Sequence, residues 1–163
     1  EDVVTIFAKI REKTPAKLLM VGDGPEKTKA EKVCREQKFC HDVKFLGKMD
    51  DVARILNITD LFLLPSQTES FGLAALEALT AGSPVISSNA GGLPEVNIHG
   101  ETGFTAPPGD TDAMAQGALD LLTNPEKLSL FKKQAFNRAK LFDIHQVMPL
   151  YEAVYKELLD QNN

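Results

Sequence analysis

The sequence predicts one α/β domain: a parallel sheet with helices on both faces, followed by C-terminal helices. Three observations carry this. Short, unbroken apolar runs such as Leu61-Phe62-Leu63-Leu64 are closed by turn residues such as Pro65, the pattern of a strand covered on both faces. Helical stretches alternate with these runs, which is the order of a parallel sheet. The 163 residues are 43% hydrophobic and 25% charged, enough for one real core.

The elements follow in order. Asp2 to Arg11 reads as a helix with Val3, Val4, Phe7 and Ile10 on one side, so the chain looks like a fragment that opens inside an element of something longer. Lys17 to Val21 reads as a strand ending in the turn Gly22-Asp23-Gly24-Pro25. Ligands bind at such carboxyl ends in open α/β sheets, although a plain strand-to-helix connection is the competing reading. A dinucleotide fingerprint wants a third glycine where Lys27 stands, and Pro25 intrudes. Glu26 to Gln37 is a charged helix and Val43 to Leu46 a strand. Asp50 or Asp51 caps a short helix carrying Val52, Ile55 and Leu56.

The Leu61 strand comes next, then a helix starting near Phe71 or Gly72 and stopping at Gly82. Pro84 to Ser87 is a strand. The glycines of Gly91-Gly92-Leu93-Pro94-Glu95 let backbone approach a ligand or simply turn the chain, with nothing to choose between them. Gly100 to Gly103 is a turn and Phe104 to Ala106 a short strand. Asp110 or Thr111 caps a helix to about Thr123, and capping is the better reading of Asp110-Thr111-Asp112 than a metal-binding pair of aspartates. Amphipathic helices over Pro125 to Leu141 and Gln146 to Leu159 close the chain, the last expected to pack against the body.

Composition narrows the function. The net charge of −5 argues against nucleic acid as a partner. No apolar run reaches a membrane span, and no signal-peptide pattern is present. Cys34 and Cys40 have no metal-like spacing and read as reduced thiols in a cytoplasmic protein. His41, His99 and His145 are scattered and read as structural, and no metal site is expected.

The informative stretch is Ser66 to Ala81. Its helix is apolar on nearly every side, through Phe71, Leu73, Ala74, Ala75, Leu76, Ala78 and Leu79, yet carries Glu77. Glu69 stands at its entrance. A helix start offers unpaired N–H groups and a positive dipole end, which suits phosphate. Glu77 lies about six residues along, roughly 9 Å at 1.5 Å per residue, and leans back toward the start. A buried carboxylate there either accepts hydroxyl hydrogen bonds from a sugar attached to that phosphate or is salt-bridged to a neighbouring cation; the two readings stand level.

Glu69-Ser-Phe-Gly-Leu-Ala-Ala-Leu-Glu77, with Val21-Gly-Asp-Gly-Pro25 and Phe45-Leu-Gly47 upstream and Gly91-Gly-Leu-Pro-Glu95 downstream, resembles the second half of a family 4 (group 1) retaining glycosyltransferase of the GT-B fold, whose donor half is Rossmann-like. The likeness covers nearly the whole chain, in the family's order and spacing. It implies a transferase taking a sugar from a nucleotide sugar, most nearly N-acetylglucosamine from UDP-N-acetylglucosamine to a small acceptor such as L-malate. The alternatives are another group 1 transferase making a polysaccharide or lipid-linked glycan, or a non-catalytic nucleotide-binding module.

By resemblance, Glu77 holds the ribose hydroxyls, and Glu69 lies beside the transferred sugar as the catalytic residue. Ser70, Phe71, Gly72 and Leu73 meet sugar hydroxyls and phosphate, Lys48 and Met49 edge the uracil, and Gly22 and Gly24 line the phosphate side. No cofactor or metal is implied beyond the UDP-sugar itself. The family's second domain also has a first strand with an Arg/Lys pair for the diphosphate, and a preceding domain that holds the acceptor; neither is expected within residues 1–163. That departure implies weak donor binding and an inactive fragment, and leaves a homodimer of the longer protein open.

Overall fold

The computed structural model describes residues 1–160. The elements run α1 (Asp2–Arg11), β1 (Leu18–Val21), α2 (Glu26–Glu36), β2 (Val43–Gly47), α3 (Ala53–Leu56), β3 (Phe62–Leu64), α4 (Leu73–Thr80), β4 (Val85–Ser88), α5 (Leu93–Val96), β5 (Gly103–Ala106), α6 (Thr111–Leu122), α7 (Pro125–Ala139) and α8 (Ile144–Asp160). The α/β class stands, with every strand pairing parallel and helices on both faces. The Gly91 stretch adds one element that periodicity did not show, the single turn α5, begun by Pro94 in its first turn.

The sheet comes in two pieces. β1 pairs with β2, and β3, β4 and β5 pair in that order. The strand alternation had suggested one continuous sheet, but no backbone hydrogen bond among the described residues joins β1 to β3.

Three apolar clusters hold the pieces. Val4 and Phe7 of α1 pack with Leu18, Cys34 and Phe39 over the first piece. Ile6 and Ile10 of the same helix pack with Ile86, Met114, Leu121 and Phe131 over the second. On the opposite face Leu79, Val85, Leu93, Val96 and Ala135 form the third. α1 thus spans both pieces. Each fully buried aliphatic or aromatic side chain contributes about 1.5–3 kcal/mol, so α1 is the main apolar tie between them.

Two expectations are corrected. Cys34 and Cys40 are not free thiols: they form a disulfide, S–S 2.10 Å, with Cα atoms 5.0 Å apart. The cause is the end of α2. Lys38 adopts a left-handed backbone, φ 59°, and the Phe39 N–H donates to the Cys34 carbonyl at 3.0 Å. That is a Schellman-type stop, which turns the chain back over its own last turn and brings Cys40 to Cys34. Spacing alone does not show such a reversal, because Lys stands where Gly is usual.

The last helix was expected to pack against the body. Instead α8 buries none of its residues: Ile144, Met148, Leu150, Tyr151, Val154 and Tyr155 are all exposed. Its apolar stripe is as the periodicity predicts, but its main contact is with the turn at Lys140–Phe142. No helix is long and apolar enough to cross a membrane among the described residues.

Candidate functional site

The strands of each sheet piece run parallel, so the loops that leave their carboxyl ends lie along one edge of that piece. The sequence-predicted site residues fall on three of these loops and on the helix that follows one of them.

The central loop runs from Pro65 to Gly72, between β3 and α4. Gly72 caps α4 in a left-handed conformation, φ 97°, with no side-chain cap on the helix start. A Cβ at this position would also stand 2.7 Å from Leu93 Cδ2. The loop is braced from β4 and the glycine turn behind it. The Ser88 hydroxyl donates to the Ser66 carbonyl at 2.6 Å. Gly91 and Gly92 lie directly against the backbone of Glu69, Ser70 and Phe71. Those glycines therefore serve backbone-to-backbone packing beneath the loop.

On this loop Glu69 is half-buried, and its Oε1 accepts from the Ser70 N–H at 3.2 Å. Ser70 is exposed. Phe71 packs edge-on against Phe142, ring centroids 5.8 Å apart, which fixes the last residue before the cap.

α4 departs from expectation in one respect. It begins at Leu73, and only Ala75, Ala78 and Leu79 are buried. Leu73 is 68% exposed, and Glu77 is exposed one turn further along the same side. The premise of a buried lone carboxylate is thus corrected: the all-apolar pattern concealed an outward face built from Leu73, Leu76 and Glu77. Neither Glu69 nor Glu77 forms an ion pair among the described residues. Both carboxylates are open to a donor from outside the chain, and the salt-bridged reading of Glu77 does not hold.

A second group sits at the ends of β1 and β2. Gly22, φ 118°, donates its N–H to the Gly47 carbonyl at 2.8 Å, which ties the Gly22-Asp23-Gly24-Pro25 turn to the start of Lys48-Met49. Gly22, Gly24 and Lys48 are exposed and Met49 is half-buried. The structure thus brings Gly22, Gly24, Lys48 and Met49 together, and separately Glu69, Ser70, Phe71, Gly72, Leu73 and Glu77. Between the groups lies the opening that separates β1 from β3, a cavity of about 1010 Å³ whose walls include none of these residues.

One positioning network was missed from sequence. Asn97 is fully buried; its amide donates to the Val85 carbonyl at 3.0 Å and the Ser87 hydroxyl at 2.9 Å, while Thr102 donates to its Oδ1 at 3.0 Å. It fastens the end of α5 to β4, and so fixes the base of the glycine turn under Glu69. A lone Asn in a loop-like stretch carries no periodic signal that could have exposed it. Asp110 caps α6 through the Ala113 N–H at 3.0 Å, as expected, and Asp112 pairs with Lys9 at 2.8 Å.

A parallel α/β domain with a glycine-capped helix start, a glutamate on each side of it, and glycine turns along the same edge has the fold of one half of a GT-B glycosyltransferase. Comparison with known proteins agrees. The family description "Glycosyl transferases group 1" matches residues 1–138, and the chain belongs to that family. The chain is 41% identical over 160 residues to the N-acetyl-alpha-D-glucosaminyl L-malate synthase of Bacillus anthracis, covering 98% of this chain and 42% of that protein. Among solved structures it superposes on a sucrose-phosphate synthase from Thermosynechococcus elongatus with TM-score 0.83 at 28% identity, covering 98% of this chain and 43% of that one. It also superposes on the Anabaena HepE protein in complex with UDP, with TM-score 0.81 at 25% identity, covering 94% and 44%. The chain therefore spans less than half the length of the relatives it matches.

Proposed function

We propose that this chain is the donor-binding half of a retaining glycosyltransferase that moves N-acetylglucosamine from UDP-N-acetylglucosamine to a small acceptor such as L-malate. The observation that carries the reading is the pair of unpaired carboxylates, Glu69 and Glu77, flanking the uncapped start of α4. The likeness to the malate synthase supports the choice of sugar and acceptor. The likeness to a structure described as containing UDP supports the nucleotide.

In this reading the first-turn N–H groups of α4, from Gly72 and Leu73 onward, receive the diphosphate. Glu77, five residues past the cap and so roughly 7.5 Å up the axis, accepts both ribose hydroxyls. Glu69 lies beside the transferred sugar, where a negative charge favours the positive character that develops at the anomeric carbon. Lys48 and Met49 edge the base, and Gly22 and Gly24 admit the phosphates. The leaving group's charge is met by helix dipoles and protein cations, without a metal or other cofactor. The acceptor and the remaining phosphate-binding cations come from a preceding domain and first strand, so donor affinity in residues 1–163 is weak and transfer requires the longer protein. We place the enzyme in the cytoplasm.

The test is calorimetric titration of UDP and UDP-N-acetylglucosamine into the longer protein, and into its Glu77→Ala and Glu69→Gln variants. Glu77→Ala is expected to weaken UDP binding by tenfold or more with the fold intact, since each hydrogen bond to a charged group contributes about 1.5–3 kcal/mol. Glu69→Gln is expected to lower turnover while leaving UDP affinity unchanged. Unaltered UDP binding in Glu77→Ala would falsify the role given to Glu77.

A further inference from the structure

The loop from Pro65 to Gly72 carries one aromatic side chain, Phe71. Its ring stands against Phe142 with the two planes 71° apart. Phe142 ends the turn Lys140–Phe142 that follows α7. Over the Phe142 ring lies a cation, the Arg138 guanidinium of α7, 5.1 Å from the centroid. Arg138 Nη2 in turn donates to the Glu95 carbonyl, near the end of α5. Phe71, Phe142, Arg138 and Glu95 thus form one chain of contacts. It begins on the glutamate loop and ends on the glycine turn packed beneath that loop.

Each link has a physical cause. α5 is a single turn whose last carbonyls have no partner within it, and a cation favours that end of a helix. Arg138 supplies the cation, and it forms no ion pair among the described residues. Its Nε is buried without a partner among them. A buried donor left unsatisfied is costly, so the side chain is held by its other contacts, the carbonyl and the ring. Between perpendicular rings the contact is directional, unlike contact between aliphatic groups.

The start of α4 needs such a hold. It has no side-chain cap, and Gly72 leads into it at φ 97°. Glycine has the widest backbone freedom, so this angle is set by its neighbours. Leu93 Cδ2 fills the space beside Gly72. Phe71, the residue before it, is anchored on Phe142. The N–H groups that follow converge only while the turn keeps this shape, and donors ordered in advance bind a ligand more tightly than donors ordered on binding. Phe142 lies past residues 1–138, the stretch that the family description matches.

We propose that Phe142, seated by Arg138, is a positioning residue for donor binding. It holds Phe71, and through Phe71 the Gly72 turn, so that the first-turn N–H groups of α4 face the diphosphate before it arrives. The proposal rests on the donor reading above and adds to it a residue that acts through Phe71. The competing account is that Phe142 only fills apolar space beside α4 and α7.

Phe142→Leu keeps apolar bulk and removes the ring; Phe142→Tyr keeps the ring. Calorimetric titration of UDP into the longer protein compares these with the parent, with Phe71→Leu and with the double leucine variant. Phe142→Leu is expected to weaken UDP binding about three- to tenfold, the worth of an aromatic pair, and Phe142→Tyr to match the parent. The double variant is expected to bind within about twofold of the weaker single one, because the two rings act as a unit. The donor KM rises by the same factor and the acceptor KM stays fixed. Phe136→Ala removes another ring of α7 that lies under a cation, Lys140 at 4.5 Å, and is expected to change none of these. The proposal is overturned if Phe142→Leu binds UDP as the parent does, if Phe142→Tyr is as weak as Phe142→Leu, if the two single losses multiply in the double variant, or if both KM values rise together.

Amide exchange in the 163-residue chain separates this from the donor reading. The Leu76 N–H donates to the Gly72 carbonyl at 3.0 Å. In Phe142→Leu it is expected to exchange about tenfold faster, with Ile86 and Leu121 unchanged. Unchanged exchange at Leu76 would overturn the positioning role. Faster exchange there, in a protein whose parent binds no UDP, would count against the donor reading alone.

Discussion

The Cα of Gly91 lies so close to the carbonyl of Glu69 that a methyl group built on it would stand 1.6 Å from that oxygen. The glycine turn after β4 and the glutamate loop after β3 are in direct backbone contact, and neither can move without the other. Gly91 also has φ 52°, in the region that side chains rarely adopt.

Gly91→Ala should therefore displace the Glu69 loop. Strain at the left-handed position and the backbone overlap add in one place, and a loss of more than about 2 kcal/mol is expected. Chemical denaturation of the variant measures the loss. Donor binding in the longer protein should fall with it, while a surface change such as Lys133→Ala leaves both unaltered.

Asn97→Ala removes four hydrogen bonds beneath the same turn and takes a donor from the Val85 carbonyl and the Ser87 hydroxyl in the core. Each buried group so stranded costs about 1–3 kcal/mol. For a chain of this size about 1 kcal/mol corresponds to roughly 2–4 °C in the thermal midpoint, so a drop of several degrees is expected by calorimetry. Asn97→Asp should not rescue it, because a carboxylate cannot donate to the Val85 carbonyl.

Asp42 gives a pH prediction. Lys17 at 2.5 Å and Arg11 at 2.9 Å hold its carboxyl below the ordinary value of 3.8, and burial opposes them only in part. A carboxylate whose folded pKa is depressed stabilises the fold fully above its ordinary value. That contribution is lost as pH falls through the depressed one, because the unfolded chain then binds the proton more readily. Asp42→Asn should be less stable than the parent at pH 6, and the gap should close as pH drops below about 3.8. Parallel urea titrations across that range provide the check; a gap that is constant with pH would contradict the assignment.

The disulfide closes a short loop between α2 and the turn before β2. For a closed loop of this length the chain-entropy relation gives about 2–3 kcal/mol. Reduction, or Cys34→Ala with Cys40→Ala, should lower the thermal midpoint by several degrees, and a thiol reagent applied to the unreduced protein should find no reactive cysteine.

Much of the fold was legible because strand and helix signals here are strong and local. α1 was predicted to the residue, and the strand cores were found from apolar runs closed by Pro or Gly. The candidate residues fall on loops at the carboxyl ends of strands because parallel strands deliver those ends to one edge. What escaped notice depends on partners distant in sequence. The outward face of α4 was hidden because Leu73 and Leu76 are apolar wherever they point. The Cys34–Cys40 bond depends on a left-handed Lys38, and the role of Asn97 on groups from three different segments. The split between β1 and β3 is a matter of what lies beside each strand, which no local pattern records.

α8 has a consequence for how the protein moves through solution. Seventeen residues of helix span about 25 Å at 1.5 Å per residue, and none of them is buried. A particle with so long a stretch of helix lying outside its core drags more solvent than a ball of equal mass. Its translational diffusion should be slower, and its small-angle scattering should show a longer maximum dimension, than the 17.8 kDa mass alone would give.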